Sequence, residues 1–309
     1  MSISSRDILL LQSLKGFGSA AVRTVIAELT QCNQYCVVDL YDILAKLCNS
    51  KKIRAQLPTR DEMSCAAENA DRIIRHSEML GIKMFSCLEE SFPSRLLNTV
   101  SEKGKQDVPV IVHCLGNLDV VGKPSLTVIG TRNPNDAGVK GAEFFSSEFA
   151  SCGVNIVSGL AMGCDTLAHE AALAVNGSTT AILAGGLDSI YPRENRGLAG
   201  RILNAGGLLI SENPVFTQTN KYNLVARDRL QAALGDATLV IQTSVKGGTM
   251  HAAKATLSAG KPLFVVDYKD STADVVQGNL LLKGQGAIGL SSLQWKENPE
   301  FFIGKLSSL

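Results

Sequence analysis

Glycine-rich loops that also carry basic residues are the first place in this sequence where chemistry could occur. Such loops read Gly130-Thr131-Arg132, then Ser158-Gly159-Leu160-Ala161-Met162-Gly163, then Lys246-Gly247-Gly248-Thr249. Glycine lets backbone N–H groups approach a ligand closely, and a helix that begins after such a loop offers unpaired N–H groups and a favourable dipole to an anion. Arginine and lysine add positive charge at the same place. These loops therefore predict a phosphate-binding crevice, although glycines after strands can also simply form tight turns.

Three more basic residues, Lys221, Arg227 and Arg229, precede the fifth apolar strand, and we expect them on a loop beside the same crevice. Long cationic side chains there could reach a phosphate that the glycine loops hold. The predicted phosphate-binding residues are Gly130, Arg132, Ser158, Gly159, Gly163, Lys221, Arg227, Arg229, Lys246, Gly247, Gly248 and Thr249.

Catalytic groups are sparse around these loops. We expect His169 to pack its helix against the sheet and Asp165 to cap that helix. The sequence shows no nucleophile–base pair and no cluster with metal-ligand spacing. The dinucleotide fingerprint GxGxxG is absent after the first strand, and the P-loop lysine is absent from the second loop, where Cys164 follows Gly163. We therefore predict a binding protein without cofactor or metal, rather than an enzyme.

The elements that position these loops alternate between strands and helices from Ser125 onward. The predicted strands cover residues 126–130, 155–158, 179–184, 208–211, 238–243 and 262–266. The predicted helices cover residues 137–151, 165–175, 194–204, 227–234 and 249–258. Apolar strands separated by helices are typical of a mostly parallel sheet that is covered on both faces. The pattern therefore predicts a Rossmann-like, doubly wound α/β fold, in which ligands bind outside the carboxyl ends of the strands.

The N-terminal region has a different pattern. Residues 5–85 predict short helices, with a hairpin at Gly16 and Gly18 between two of them. Such a hairpin either packs a small bundle or, as in helix-hairpin-helix and SAM-like modules, directs backbone N–H groups at a DNA phosphate. We predict a helical domain over residues 1–85 and a Rossmann-like domain over residues 86–309, with 86–124 as its N-terminal extension.

Composition limits the class of protein further. The 309 residues are 45% hydrophobic and 19% charged, with a formal net charge of +1. That balance is ordinary for a globular protein, so any polyanion site must be a local cluster of basic groups. None of the eight cysteines forms a CxxC pair, which favours reduced thiols over disulfides or a metal site. No apolar stretch reaches the roughly 18–20 residues of a membrane span, and we expect a cytoplasmic protein.

The loops resemble those of the bacterial DNA-processing protein A (DprA/Smf) family. Gly130-Thr131-Arg132 is similar to its Gly-Ser-Arg loop, and residues 158–165 are similar to its Ser-Gly-Leu-Ala-Arg-Gly-Ile-Asp stretch. Residues 185–195 are similar to its Gly-Leu-Asp-x-x-Tyr-Pro-x-x-Asn segment, which is the most specific of these motifs. The similarity extends to Phe92-Pro93-x-Arg95-Leu96 and to Gly278-Asn279, so it covers nearly the whole chain.

The resemblance implies a function in DNA recombination. It implies binding and protection of single-stranded DNA, loading of a RecA-type recombinase during natural transformation or recombination, and a homodimer. The sequence departs from the family pattern at Met162, where an arginine is usual, at Leu224, where an aromatic is usual, and at Asp228, where an asparagine is usual. The loop at Lys246-Gly247-Gly248-Thr249 also replaces a Ser-Gly-Ser-Leu pattern.

A second interpretation fits the same crevice. The Gly247-Gly248-Thr249 loop loosely resembles that of Rossmann-like phosphoribohydrolases, which act on nucleoside monophosphates. The catalytic glutamate of those enzymes has no counterpart in Met250-His251-Ala252, which argues against hydrolysis. A nucleotide-binding sensor, or another nucleotide-handling protein, is therefore the alternative to a DNA-binding protein.

Overall fold

The computed structural model describes residues 3–31, 40–268 and 272–306. They divide into two compact units, one within residues 1–92 and 109–112, the other within residues 93–108 and 113–309. The domain division at residues 85 and 86 stays a prediction. In the described residues, no helix is long and apolar enough to cross a membrane.

The first unit is built mainly from helices. Its elements are α1 (Ser5–Ser13), α2 (Ser19–Gln31), α3 (Leu40–Asn49), α4 (Arg60–Met79) and strand β1 (Lys83–Ser86). Ser4 and Thr59 begin α1 and α4 as side-chain caps, each in a reciprocal capping box. Between α1 and α2 the chain turns at Gly16, whose φ of +84° lies in the left-handed region that favours glycine. The predicted glycine hairpin is therefore present.

The second unit alternates strands and helices along the chain. Its strands are β2 (Ile111–Gly116), of which the last four residues belong to this unit, β3 (Ser125–Ile129), β4 (Asn155–Ser158), β5 (Thr179–Leu183), β6 (Leu208–Ser211), β7 (Ala237–Val240), β8 (Leu263–Val266) and β9 (Ile288–Leu290). Its helices are α5 (Asp136–Ser151), α6 (Cys164–Ala174), α7 (Arg196–Asn204), α8 (Lys221–Leu234), α9 (Thr249–Ser258), α10 (Asp274–Gly284), α11 (Ser292–Glu297) and α12 (Pro299–Gly304).

The sheet confirms the predicted Rossmann-like fold. In this unit the strand order is β2-β6-β5-β4-β3-β7-β8-β9. All these neighbours pair in parallel except β2 and β6, which are antiparallel. The order reverses between β3 and β7, because β4 continues the sheet on one side of β3 and β7 begins the other. A crevice forms at such a reversal, outside the carboxyl ends of the strands.

Apolar side chains fill both faces of the sheet. On one face Phe145, Phe149, Phe264, Trp295 and Phe302 belong to a single buried cluster. On the other face Met250 and Leu282 are buried against β3, β7 and β8. At the N-terminal ends of β3 and β7, the Asp236 carboxylate accepts hydrogen bonds from the Arg95 guanidinium and from the Ser125 backbone N–H. This pair holds the segment that contains Arg95 to the sheet.

Three sequence-based element predictions were wrong in detail. Helix α8 begins at Lys221 rather than at residue 227, because the Asn220 side chain accepts hydrogen bonds from the next backbone N–H groups. The basic residues expected on a loop therefore lie on a helix. Strand β7 ends at Val240, and the chain beyond it bonds both to the Asn279 side chain and to the backbone of the segment after β3. The predictions also omitted β9 and α10 to α12.

Of the eight cysteines, six lie in the described residues, and all six are free thiols: Cys48, Cys65, Cys87, Cys114, Cys152 and Cys164. Cys32 and Cys36 lie outside the described residues. Cys114 and Cys164 are buried, and burial raises the pKa of each thiol to about 12. Neither is therefore a nucleophile at neutral pH.

Candidate functional site

A cleft of about 610 Å³ opens at the reversal of strand order. Its walls come from the loops that follow β3 and β7, from the start of α9 and from one face of α8. A smaller cavity of about 310 Å³ shares Arg132, Ala161, Leu224 and Arg227 with this cleft. The geometry thus joins loops from neighbouring strands around one opening, as the fold requires.

The structure brings together most of the predicted phosphate-binding residues. Those that line the larger cleft are Gly130, Arg132, Lys221, Arg227, Gly247, Gly248 and Thr249. Gly159 lines the smaller cavity. Ser158, Gly163, Arg229 and Lys246 line neither of them. That these residues contact phosphate stays a prediction, and their environments differ enough to assign them different tasks.

Three of the basic side chains are exposed and available to a ligand. Arg132 follows β3, Lys221 begins α8, and Lys246 lies in the loop between β7 and α9. The Lys221 Nζ lies 5.1 Å from the centre of the exposed Tyr222 ring, which is a cation–π distance. Within the parts of the chain that the structure describes, no acidic group pairs with these three side chains. Their charge is therefore free to attract an anion.

The start of α9 adds backbone donors to the cleft. Gly248 takes the N-cap position and offers no side-chain cap. Among the described residues, the N–H groups of Gly248 and Thr249 donate to no protein acceptor, whereas those of Met250 and His251 donate to Gly247 and Gly248 carbonyls. A Cβ at Gly248 would meet only open space, and both Gly248 and Thr249 line the cleft. Two unpaired N–H groups at a helix start suit a phosphate oxygen.

Arg227 lies under the cleft rather than over it. Its side chain is 7% exposed, and its Nη1 donates to the carbonyl oxygens of Gly159 at 2.6 Å and Ile182 at 2.8 Å. Its Nε donates to the Asp228 carboxylate at 3.2 Å. These bonds tie α8 to the ends of β4 and β5. Arg227 therefore organises the floor of the cleft, and its charge is paired with the Asp228 carboxylate.

Arg229 is the basic residue least available to a ligand. Its Nη1 and Nη2 donate to the two Glu212 carboxylate oxygens at 2.8 and 2.6 Å, and its Nε lies 2.8 Å from an Asp107 carboxylate oxygen. The side chain is 9% exposed. Two carboxylates thus balance its charge, so the structure supports a positioning role, holding the segment at Asp107 and the end of β6 against α8.

Ser158, Gly163 and Gly130 shape the loops. The Ser158 hydroxyl donates to the Val128 carbonyl at 2.6 Å, which joins β4 to β3 inside the sheet. Gly163 has a φ of +79°, and a Cβ there would lie 2.4 Å from the Arg132 carbonyl oxygen. A Cβ at Gly130 would lie 2.5 Å from the Cys164 Sγ. Glycine at these positions lets the loops after β3 and β4 pack closely, which brings Arg132 to the rim.

Three acidic residues line the basic cleft: Asp165, Asp228 and Asp274. The prediction that Asp165 caps α6 was wrong, because the N-cap is Gly163 and Asp165 lies inside the helix. The Asp165 Oδ2 instead accepts hydrogen bonds from the backbone N–H groups of Gly159 at 3.1 Å and Ala161 at 3.3 Å, so Asp165 orders the loop after β4. Burial raises the pKa of Asp165, against the lowering effect of Arg227. Burial also raises the pKa of Asp228 to about 6, which Arg227 opposes and Asp165 reinforces. Asp228 is therefore a carboxylate of the cleft whose charge changes just below neutral pH.

Both histidines named in the sequence analysis have protein partners. His169 is buried, and its Nδ1 lies 2.7 Å from the Thr179 hydroxyl oxygen. Burial lowers the pKa of His169 to about 3, so it is neutral at physiological pH. At the rim of the cleft, the His251 Nδ1 lies 2.8 Å from a Glu102 carboxylate oxygen. In the described part of the chain, no group of three His, Cys, Asp or Glu side chains is placed to hold a metal ion.

Sequence reasoning missed two asparagines that hold the loops. The Asn195 side-chain amide donates to the Leu160 carbonyl and to the Thr166 hydroxyl, both at 2.8 Å, and so braces the loop after β4. The Asn279 Oδ1 accepts from the Thr243 N–H at 3.0 Å, and its Nδ2 donates to the Ile241 carbonyl at 2.7 Å. Both asparagines fell within segments noted for family resemblance, but their partners lie on other segments of the chain.

The sheet, its reversal point and the basic cleft define a Rossmann-like α/β protein with a site suited to anions. The family model of DNA recombination-mediator protein A matches residues 83–295. The chain therefore belongs to the DNA recombination-mediator protein A family.

Individual relatives agree with this assignment. Protein Smf of Escherichia coli is 34% identical over 177 residues, which cover 57% of this chain and 46% of that protein. The chain thus spans about half the length of this relative. The X-ray structure of DNA processing protein A from Streptococcus pneumoniae matches with a TM-score of 0.77 and 26% identity, over 95% of this chain and 97% of that one. A structure of DNA processing protein A from Helicobacter pylori matches with a TM-score of 0.60 and 28% identity, over 73% and 95%.

Proposed function

We propose that this protein binds single-stranded DNA in the cleft between the loops after β3 and β7, and that it mediates recombination from there. The observation that carries the proposal is the set of exposed, unpaired cations near unpaired N–H groups. Arg132 and Lys221 line the cleft together with the start of α9, and Lys246 lies two residues before Gly248, the N-cap of that helix. Single strands bind to grooves of this kind, in which basic groups follow the phosphates.

The relative from Helicobacter pylori supports the choice of ligand. Its structure concerns the single-stranded DNA binding mode of DNA processing protein A. Transferred to this chain, that ligand suits the cleft better than a duplex, because a single strand can bend its phosphates into a concave site and expose its bases. The proposal includes protection of the bound strand, delivery of a RecA-type recombinase to it, assembly as a homodimer and a cytoplasmic location.

Within this proposal, the basic residues have two different tasks. Arg132, Lys221 and Lys246 contact phosphates, together with the N–H groups of Gly248 and Thr249. Arg227 and Arg229 hold α8 in place through buried hydrogen bonds. The proposed set of phosphate contacts is thus smaller than the set predicted from sequence, because Arg227 and Arg229 donate their hydrogen bonds to other groups of the protein.

Fluorescence anisotropy tests whether the ligand is single-stranded DNA. A labelled oligonucleotide of about 35 bases is titrated as a single strand and as a duplex. We expect tighter binding of the single strand and a loss of about 10-fold or more for Arg132→Ala, since a hydrogen bond to a charged group contributes about 1.5–3 kcal/mol. Lys296→Ala is the control, because Lys296 is exposed on α11 and lines neither cavity. Equal affinity for both DNA forms, or an unchanged Arg132→Ala variant, would refute the proposal.

Recombinase delivery needs a separate assay. A RecA-type recombinase is added to single strands already coated with single-strand-binding protein, and its DNA-dependent ATPase is followed over time. We expect this protein to shorten the lag before ATP hydrolysis, and Arg132→Ala to restore the lag. If the lag is unchanged at saturating concentrations of this protein, recombinase delivery is contradicted, whereas the proposal of DNA binding is unaffected.

A further inference from the structure

A short hairpin, residues 99–107, lies outside the cleft in the second unit. The Asp107 backbone N–H donates to the Thr99 carbonyl at 2.9 Å, which closes the base of the hairpin. At the tip, Gly104 has a φ of +70°, in the left-handed region that favours glycine in a tight turn. Hydrogen bonds within the hairpin therefore hold its shape.

Both acidic residues of the hairpin contact the helices that border the cleft. An Asp107 carboxylate oxygen lies 2.8 Å from the Arg229 Nε on α8. A Glu102 carboxylate oxygen lies 2.8 Å from the His251 Nδ1 on α9. The Glu102 backbone carbonyl also accepts a hydrogen bond of 2.9 Å from the Ser258 hydroxyl at the end of α9. These contacts fix the hairpin against both helices and turn its two carboxylates toward them.

The lysines on this surface have the opposite environment. Lys103 and Lys105 are exposed on the hairpin, and Lys254 is exposed on α9, three residues after His251. Among the residues that the structure describes, no carboxylate pairs with any of the three lysines. The hairpin thus has two exposed cations, whereas both of its carboxylates have partners. A local cluster of this kind attracts a polyanion, although the net charge of the whole chain is only +1.

Helix α9 connects these lysines to the cleft. Thr249 at the start of the helix and His251 line the cleft, and Ser258 at its end contacts the hairpin. A rise of 1.5 Å per residue places the two ends of the helix roughly 14 Å apart. Lys254 lies between them. A strand that leaves the cleft along α9 therefore meets Lys254 first and the hairpin next.

We propose that the bound single strand continues from the cleft along α9, and that Lys103, Lys105 and Lys254 contact its phosphates outside the cleft. This inference rests on the proposed function and extends it, because it adds the hairpin to the DNA-binding surface. Contacts to phosphates carry no sequence information, so they add affinity for any strand and weaken as salt rises. A long strand should therefore bind more tightly than a short strand that the cleft alone can hold.

Strands of two lengths test the proposal with the full chain. Anisotropy is measured with labelled oligonucleotides of about 6 and about 24 nucleotides at several salt concentrations. Lys103→Gln/Lys105→Gln should weaken binding of the longer strand about 10-fold and make its log–log salt slope shallower by about 1.4, since each phosphate contact adds about −0.7. Binding of the shorter strand should change less. Lys254→Gln, on a different element, gives an independent readout and should make the slope shallower by about 0.7.

Two matched variants separate charge from structure. Lys103→Arg/Lys105→Arg keeps both charges and should keep the slope of the parent. Gln106→Ala changes an exposed, uncharged side chain of the same hairpin and should bind like the parent.

The comparison with Arg132→Ala separates the two proposals. If the glutamine variants keep the affinity and slope of the parent on the longer strand while Arg132→Ala weakens it, the hairpin contacts are refuted and the cleft stands. If the parent binds neither strand, the proposed function fails, and the extension along α9 fails with it.

Discussion

The Gly159 carbonyl oxygen accepts a hydrogen bond of 2.6 Å from the Nη1 of Arg227, and the same guanidinium occupies the space that a side chain at residue 159 would need. A Cβ built on Gly159 would lie 1.8 Å from that nitrogen. Gly159 thus leaves room for the buried guanidinium of Arg227 on α8. This packing, and not only access for a ligand, explains why the loop requires glycine there.

Gly159→Ala should therefore destabilise the protein. The methyl group would displace the guanidinium and break its bonds to the Gly159 and Ile182 carbonyls, with a loss of at least about 2 kcal/mol in the free energy of unfolding. Urea denaturation measures this loss. Gly197→Ala is the matched control, because Gly197 lies on α7 with open space around it, and it should unfold like the parent or slightly later. Equal midpoints for all three proteins would contradict the packing role.

Arg229 and Arg132 should respond to alanine in opposite ways. Arg229→Ala removes the cation that pairs with Glu212, and breaking such a buried pair costs about 3–5 kcal/mol of stability. Arg132→Ala removes an exposed side chain, so its thermal midpoint should stay near that of the parent while DNA affinity falls. Calorimetric melting and anisotropy on the same samples measure both. A stable Arg229→Ala variant that has lost DNA binding would instead place Arg229 in the contact set.

The fold could be predicted from the sequence because the patterns that specify its strands and helices are local. Apolar runs separated by helical stretches specify a parallel sheet, and the residue after each strand is known once the strand is known. The loops at Gly130, Ser158 and Gly247 were located in this way. Helix α8 was misplaced because its start depends on one side-chain cap, Asn220, in a polar stretch without apolar periodicity.

The sequence could not show which arginines face a ligand and which bond to the protein, because their partners lie far away in the chain. Arg227 bonds to Gly159 across 68 residues, and Arg229 contacts Asp107 across 122 residues. A basic residue near a glycine loop has the same sequence signature whether it faces a ligand or a carboxylate. Only the packing of α8 against β4, β5 and the segment at Asp107 separates the two cases.

Asp228 should make stability and DNA binding depend on pH. Its folded-state pKa of about 6 lies above the ordinary value of 3.8, so its stabilising contribution is complete below pH 3.8 and is lost as pH rises through 6. Asp228→Asn replaces the ionisable carboxyl group, so the variant does not lose this stability as pH rises. The variant should gain stability relative to the parent between pH 4 and pH 7, on the order of 1–3 kcal/mol, in urea titrations at each pH.

The same substitution should change the pH profile of binding. Between pH 7 and pH 5 the parent loses one negative charge in the cleft, so its affinity for single strands should rise more steeply than that of Asp228→Asn. Parallel pH profiles for the two proteins would show that Asp228 does not face the bound strand.

Lys221 and Lys246 should each contribute to the salt dependence of binding. One phosphate contact to a single strand adds a slope of about −0.7 to the plot of log affinity against log salt concentration. Lys221→Gln and Lys246→Gln should each make the slope shallower by about that amount, and the double variant by about twice as much. Lys296→Gln should leave the slope unchanged. A slope that no lysine substitution alters would place the phosphates elsewhere.

Hydrogen–deuterium exchange of the full chain, with and without a saturating single strand, tests the location of the DNA site most directly. We expect slower exchange at residues 130–133, 159–163 and 244–249 when DNA is bound, because these loops lie around the cleft. We expect no change in α11 and α12, whose side chains line neither cavity. Protection confined to α11, α12 or the first unit, with these three loops unchanged, would contradict the cleft as the DNA site.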